Sequence, residues 1–184
     1  MKQVEFGQLC GTIISELILD LVRNWETWRA GRQLPLRKDI DPVALYRALG
    51  QTWLVDCSDL NNIIHQVVGE GIRAGYDDPM MGRSVREVHD PETADYLHQM
   101  ARLIAAKKCV VYGLSGNKLV DNVRWDVERI ALPFASADDG PVTHVLGGSV
   151  SVANDRASVI FRTDLSGQFD QGGETIYIPS HTNG

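Results

Sequence analysis

The sequence has little cysteine and no excess of positive charge. Its three cysteines, Cys10, Cys57 and Cys109, lie far apart and form no Cys-x-x-Cys pair. An odd, scattered set predicts free thiols in a reducing compartment and argues against a disulfide framework. The net charge of -6 argues against nucleic acid as the main partner, because binding to phosphates requires a basic surface.

The sequence also lacks an apolar run long enough to span a bilayer. Its most apolar early segment, 13–22, is short and contains Glu16 and Asp20. A basic start and a small-residue cleavage site are missing as well, so this segment is not a signal peptide. We therefore predict a cytoplasmic protein without a membrane span. The 43% of hydrophobic residues among 184 suffices for one domain with a sizeable core.

Motifs for catalysis and metal binding are missing too. There is no Gly-x-Ser-x-Gly, and the acidic pairs Asp77-Asp78 and Asp138-Asp139 fall in predicted turns. The five histidines show no spacing typical of zinc ligands. We predict no catalytic residues, no metal site and no enzyme activity. A haem held by His89 or His98, which flank or occupy a predicted helix, is a minor alternative.

What the sequence does contain begins with an amphipathic helix from about residue 12 to residue 30. Gly31 can end this helix in a left-handed conformation. The apolar stripe either packs on its own domain or pairs with a second copy or another partner. For pairing, we expect the interface residues Ile14, Leu17, Leu21, Trp25 and Trp28.

Strand and helix patterns follow in a regular order. Residues 52–57 and 62–68 are separated by a short turn, which predicts an antiparallel hairpin. Asp90 before Pro91 predicts the start of a helix that continues to about Lys107. Further strands are predicted at 109–114, 119–133 and 142–152, with a turn at 115–117 and a bulge after Val127, where the apolar parity changes.

This order predicts an α+β fold with one five-stranded antiparallel sheet and helices on one face, preceded by the N-terminal amphipathic helix. We assign residues 1–33 to an N-terminal helical extension and residues 34–153 to the sheet domain. Residues 154–184 are expected to form a partly flexible C-terminal tail.

The glycine run from Gly69 to Gly75 partly imitates a dinucleotide-binding fingerprint. Its spacing is Gly-x-Gly-x-x-x-Gly, and Asp77-Asp78-Pro79 interrupts the helix that should follow. A nucleotide-dependent enzyme would require a parallel βαβ unit at residues 62–90. The glycines are better explained by tight turns and close backbone packing.

Six short motifs follow one another along the chain: Trp25–Gly31 leading to Leu34-Pro35 and Arg37, Asp39–Pro42, Val67–Gly69, Met81–Ser84, Leu132-Pro133 and Val145–Gly148. In order and spacing, these motifs resemble those of a PAS domain. More narrowly, the chain is similar to a bacterial group of PAS-like proteins first catalogued as a domain of unknown function. Where relatives carry an aromatic residue and an arginine before the glycine, this chain has His65-Gln66.

This resemblance implies a sensory or interaction module. PAS domains bind small molecules or cofactors between the sheet and the small helices, and often pair through a helix N-terminal to the domain. The ligand or cofactor itself is unknown, and filling of the core by the same side chains is an equal alternative. The cavity residues that we predict are Trp53, His65, Arg73, Tyr76, Met80, Met81, Tyr112 and Trp125.

The function predicted is that of a stand-alone cytoplasmic PAS-like sensor or regulator. It would bind a small molecule or a signalling protein and form a homodimer through its N-terminal helix. No kinase, cyclase or DNA-binding segment follows, so we expect any output to pass through a separate partner. The alternatives are a ligand-free protein-interaction scaffold and, less favoured, the nucleotide-dependent enzyme.

Overall fold

The structure is a computed structural model that describes residues 2–74, 76, 79–120, 123–153 and 175–177. For residues 115–120, 123–125, 153 and 175–176 it describes the backbone alone. The strands are β1 Lys2–Gln3, β2 Thr52–Asp56, β3 Ile64–Val68, β4 Val110–Val120, β5 Val123–Ala135, β6 Val142–Ala153 and β7 Thr175–Tyr177. The helices are α1 Phe6–Thr12, α2 Glu16–Arg29, α3 Glu70–Arg73, α4 Val85–Val88 and α5 Pro91–Lys107, with 3-10 turns at Arg37–Asp39 and Leu49–Gln51.

The strands form one sheet in the order β1-β7-β4-β5-β6-β2-β3. Neighbours from β4 to β3 are all antiparallel, which confirms the predicted five-stranded antiparallel sheet. Strand β7 adds to β4 in antiparallel fashion, and β1 pairs in parallel with β7. The predicted hairpin is β2–β3, so residues 62–90 do not begin a parallel βαβ unit.

The helix predicted from about residue 12 to residue 30 is present as α2, which begins about four residues later than predicted, and a separate short helix, α1, precedes it. Helix α1 ends at Thr12, and α2 begins at Glu16. Between them, the backbone amides of Ile14 and Ser15 donate to the carboxyl group of Glu128, at 2.7 and 2.8 Å. The Glu128 carboxyl group thus accepts hydrogen bonds from amides that would donate to helix carbonyl groups if the helix were continuous.

Helix α2 packs on one face of the sheet, which we call the α2 face. Its residues Ile18, Leu21 and Trp25 are buried, and Trp25 Nε1 donates to the carbonyl oxygen of Pro133 at 2.8 Å. A Cβ on Gly148 of β6 would meet the side chains of Ile18 and Leu21. The absent side chain therefore lets the helix approach the sheet closely.

Helix α5 lies over the opposite face, which we call the α5 face. Its Ala94, Ala101 and Ile104 are buried, and the Tyr96 phenol acts electrostatically on Arg129 of β5. The helix begins as predicted, because the Asp90 side chain accepts the Thr93 amide at 3.0 Å and Pro91 occupies the first turn.

The prediction of a bulge after Val127 in β5 was wrong. Its register with β6 is unbroken from Trp125 to Phe134. The apolar parity changes because two carboxyl side chains, Asp126 and Glu128, lie buried on the α2 face beside Ile130. The predicted turn at 115–117 was also wrong, since β4 continues to Val120 with a register shift between Ser115 and Lys118.

None of the described helices is long and apolar enough to cross a membrane.

Candidate functional site

The α5 face contains a buried histidine whose ring nitrogens have no hydrogen-bond partner among the described residues. His65 of β3 is 5% exposed, and it lies on this face because it pairs with Val55, which pairs with Val145 of β6. Within the described residues, neither Nδ1 nor Nε2 of His65 has a hydrogen-bond partner. Burial lowers the pKa of His65 to about 4, with a smaller effect of His89 in the same direction, so the ring is neutral near pH 7.

Two further rings extend this group of side chains. The His89 ring lies 5.4 Å from that of His65, and Tyr76 meets His89 edge-on at 5.5 Å. His89 follows α4, where the Ser84 amide donates to the Glu87 carboxylate at 2.7 Å and fixes the short helix. Burial lowers the pKa of His89 as well, and its Nε2 has no partner among the described residues. We call His65, His89 and Tyr76 the histidine cluster.

A guanidinium lies on the same face of the sheet. Arg129 of β5 pairs across the sheet with two small residues, Gly113 of β4 and Ser149 of β6. Burial lowers the pKa of Arg129, and the phenols of Tyr96 and Tyr76 oppose that shift. An arginine nevertheless keeps its proton in a protein, so this position holds a positive charge beneath α5.

Trp53 of β2 provides an apolar wall for the same region. The indole lies against Gly147 of β6 so closely that a Cβ on this glycine would overlap the ring. Its Nε1 donates to the hydroxyl of Ser149 at 3.3 Å. Arg129, Ser149 and Trp53 therefore line adjacent positions on three neighbouring strands.

The structure places the predicted cavity residues in three different environments. Trp53 and His65 lie on the α5 face, Tyr76 contacts His89 but is 40% exposed, and Met80 is buried. Met81 is 60% exposed, and Arg73 is an exposed side chain that pairs with Glu70 at 2.7 Å. Tyr112 lies on the α2 face, and the side chain of Trp125 is outside the described part of the chain.

His89, Arg129 and Ser149 were not predicted from the sequence as site residues. Arg129 and Ser149 alternate with core residues along their strands, which is the pattern of side chains on a solvent-exposed face. A signal was present at Gly113, because a glycine within a strand often marks close approach or open space. Gly113 pointed to Arg129 only after the strand register had placed the two residues opposite each other.

The α2 face contains a buried polar group of another kind. Glu128 is fully buried, and its carboxyl group accepts from the Ile14 and Ser15 amides and from the Tyr112 hydroxyl at 2.7 Å. All three donors belong to this chain and to elements that Glu128 holds together. We interpret Glu128 as a structural residue that fixes the start of α2.

The residues predicted for a dimer interface are largely occupied within the chain. Leu21 and Trp25 are buried, Ile14 and Leu17 are half-buried, and Trp28 packs against Phe134 with ring centres 6.2 Å apart. The apolar stripe of α2 thus packs on its own sheet. The homodimer itself remains a prediction. Residues 30–51 form the connector between α2 and β2, and its exposed large apolar side chains are Val43, Tyr46 and Leu49.

The cysteines are all free, and two of them are deeply placed. Burial raises the pKa of Cys57 and of Cys109 to about 11, so both remain protonated thiols at neutral pH. In the described ranges, no three side chains of His, Cys, Asp or Glu are grouped so that they could hold a metal ion.

Comparison with known proteins adds one strong similarity. A family model described as PAS domain matches residues 14–149, from the break between α1 and α2 into β6. A solved structure of a sensory box sensor histidine kinase from Vibrio cholerae is 20% identical in sequence, with a TM-score of 0.40. That similarity covers 61% of this chain and 87% of the other. No curated protein matches the sequence.

Proposed function

Because the chain belongs to the PAS domain family, we propose that it is a sensory module that binds a small molecule between α5 and the sheet. PAS domains are in general sensory and regulatory modules, not catalysts. The binding region consists of the histidine cluster, Arg129, Ser149 and Trp53. No catalytic role is proposed for any of these side chains.

The observation that carries this proposal is the buried ring of His65, whose two nitrogens have no hydrogen-bond partner in the part of the chain that the structure describes. A buried polar group without a hydrogen bond costs about 1–3 kcal/mol of stability, and most proteins avoid such groups. His65 has this arrangement beside His89, whose Nε2 also has no hydrogen-bond partner within the described ranges. A ligand that accepts or donates hydrogen bonds here would recover that free energy, which supports binding at the α5 face.

The first experiment is native mass spectrometry of freshly purified protein, with an absorption spectrum of the same sample. We expect a reproducible extra mass that is lost on denaturation and is reduced in a His65→Leu variant. A flavin-like or haem-like absorption band would identify the bound molecule as a cofactor. The proposal is wrong if no mass is retained and small-molecule screening gives no ligand whose binding depends on His65.

A second candidate function is a ligand-free interaction module, and the exposed connector favours it. Val43 and Tyr46 are 76% and 70% exposed. They lie beside α2, since Asn24 Nδ2 donates to the carbonyl oxygen of Ala44 and Arg47 pairs with Asp20 at 3.2 Å. An apolar surface continuous with α2 could bind a second copy or a signalling protein.

Light scattering after size-exclusion chromatography tests this second candidate. If the connector forms a homodimer, wild-type protein has the mass of a dimer and the double variant Val43→Ser/Tyr46→Ser has the mass of a monomer. The variant Arg73→Gln, which changes another exposed side chain, provides the control. A monomeric wild type at all concentrations tested would rule out the homodimer and leave only a different partner protein.

A further inference from the structure

We propose that the histidine cluster binds a divalent transition-metal ion, of the kind that prefers imidazole nitrogen, through the rings of His65 and His89. This metal site rests on the proposed function, because it names the chemical class of the species bound at the α5 face. It goes further by assigning the two side chains that hold the ion and the kinds of metal ion that bind.

The first argument is the supply of free ring nitrogens. Both nitrogens of His65 and Nε2 of His89 are buried and have no hydrogen-bond partner among the described residues. His65 as a whole is 5% exposed. A neutral imidazole has one unprotonated nitrogen, whose lone pair either accepts a hydrogen bond or binds a metal ion. Two adjacent rings therefore each offer a lone pair that the described part of the chain does not use.

The second argument is the distance between the two rings. Their centres lie 5.4 Å apart, and the ring planes are inclined by 52°. Two imidazoles that bind one tetrahedral ion, with metal–nitrogen bonds of about 2.0–2.1 Å, have ring centres about 5 Å apart. The rings of His65 and His89 are thus already close to the separation that one shared ion requires.

The third argument is that the backbone fixes both histidines relative to each other. The His65 amide donates to the carbonyl oxygen of Arg83 at 3.0 Å, and the Val85 amide donates to that of Ile63 at 2.9 Å. The His89 amide donates in turn to the carbonyl oxygen of Val85 at 3.1 Å. These bonds join β3 to α4, so the two ligands lose little conformational freedom when an ion binds.

The charge that acts on His89 has the sign that favours a cation. Asp90 acts electrostatically on His89 and on Tyr76, whereas Arg129 acts on Tyr76. Asp77-Asp78 follows Tyr76 in the sequence and lies outside the described residues. Negative charge near the cluster would strengthen cation binding, so binding through the imidazoles does not depend on where these two carboxylates lie.

The set of ligands indicates which ions bind. No third side chain of His, Cys, Asp or Glu is grouped with these two rings in the described ranges, so water or a small molecule would complete the coordination. The second nitrogen of His65 would remain as an N–H and would need an acceptor such as an ordered water. Imidazole ligands suit Zn²⁺, Ni²⁺ and Cu²⁺, whereas Mg²⁺ and Ca²⁺ prefer oxygen ligands.

Isothermal titration calorimetry of the full chain tests this site. The protein is freed of any affinity tag, treated with EDTA to remove bound metal and exchanged into buffer without EDTA. We expect Zn²⁺ and Ni²⁺ to bind at a single site, and Mg²⁺ not to bind at the same concentrations. His65→Leu and His89→Leu should each weaken Zn²⁺ binding by at least about tenfold, since loss of even a group that hydrogen-bonds to a ligand costs about 10–100-fold.

His144→Gln is the matched control, because it removes a histidine from the other face of the sheet. His144 precedes Val145 of the α5 face in β6 and pairs with Asp56 of β2. This variant should bind Zn²⁺ as tightly as wild type.

Pulsed EPR of wild-type protein with one equivalent of Cu²⁺ provides a second measurement that needs no variant of the cluster. We expect nitrogen couplings from two imidazoles, and their absence would overturn the site.

The outcomes separate the metal site from the proposed function. If Zn²⁺ binds equally to wild type and to both cluster variants, or if Mg²⁺ binds as tightly as Zn²⁺, the metal site is wrong. The proposed function then stands only if the purified protein retains an organic molecule, haem included, or a screen finds an organic ligand whose binding depends on His65. If neither metal ions nor organic molecules bind, both are wrong.

Discussion

The two faces of the sheet each contain a buried polar side chain, and these two side chains differ in their hydrogen bonding. On the α2 face, Glu128 is fully buried and accepts three hydrogen bonds from the chain itself. On the α5 face, His65 is nearly as buried but has no partner in the described residues. The difference shows that the count of partners, more than burial, distinguishes a structural polar residue from a candidate binding residue.

Two adjacent glycines of β6 repeat this contrast. Gly148 faces Leu21 and Ile18, so the space that it leaves is filled by aliphatic side chains of α2. Gly147 faces the indole of Trp53, which is half-buried and donates a hydrogen bond to Ser149. The α2 face is thus a packed core, whereas the α5 face combines close packing with polar groups.

Removing the Glu128 side chain should have the largest effect on stability. Glu128→Ala leaves two backbone amides and the Tyr112 hydroxyl without their acceptor, so we expect a loss of at least about 3 kcal/mol. Tyr112→Phe removes one of the three bonds and should cost only about 1 kcal/mol. Urea denaturation measures both. An equal, small loss for the two variants would show that the network does not hold α2 in place.

The substitution Gly147→Ala should destabilise the protein by about 1–3 kcal/mol, because the new methyl group would overlap the Trp53 ring and force it to move. Gly148→Ala should cost a similar amount through crowding against α2. The two variants differ in the NMR signal of the Trp53 indole N–H. This signal should shift strongly in Gly147→Ala and little in Gly148→Ala; equal shifts would mean that the two faces are not independent.

Acidification should lower the free energy of unfolding, because His65 on the α5 face resists protonation in the folded chain. The pKa of His65 is about 4 in the folded chain and about 6.5 when unfolded, so the unfolded state binds more protons between these values. Stability is therefore lost as pH falls from about 7 to about 5, by about 2 kcal/mol for this group. Denaturation midpoints across this range should decline less in His65→Leu than in wild type. Equal slopes would contradict the low pKa of His65.

Replacing His65 by an apolar residue should have the smallest effect. His65→Leu removes a polar group without a hydrogen-bond partner among the described residues, so we expect a change within about 1 kcal/mol, or slight stabilisation. His98 is the matched comparison, since it is buried but its Nδ1 lies 3.0 Å from the carbonyl oxygen of Leu60. His98→Leu should destabilise by about 1–3 kcal/mol. A large loss in His65→Leu would indicate a structural role for that ring.

The sequence was sufficient to predict the elements that depend on local pattern. The five antiparallel strands follow from alternating polarity and short turns, and α5 follows from Asp90 and Pro91. The register of β5 was harder to predict, because acidic residues such as Glu128 are usually exposed. Their positions therefore suggested a bulge that β5 does not have. Two of the three donors to Glu128, the Ile14 and Ser15 amides, lie more than 100 residues away in the chain, which no local pattern reveals.

The candidate site could be predicted only in part for a similar reason. Trp53, His65 and Tyr76 stand out in the sequence as aromatic or titratable side chains near glycines. Arg129 does not, since its importance depends on which face α5 covers and on the cross-strand position of Gly113. Tyr112 was assigned to the cavity because alternation along a strand does not say which parity faces which helix.

Glu128 and Arg129 are consecutive residues of β5, and their side chains lie on opposite faces of the sheet. A single peptide unit therefore joins the carboxyl group that caps the start of α2 to the cation of the proposed binding site. A ligand that moved Arg129 would therefore act on the residue that accepts the Ile14 and Ser15 amides. By thermodynamic reciprocity, a partner protein that pulled on α2 would alter ligand affinity by the same factor.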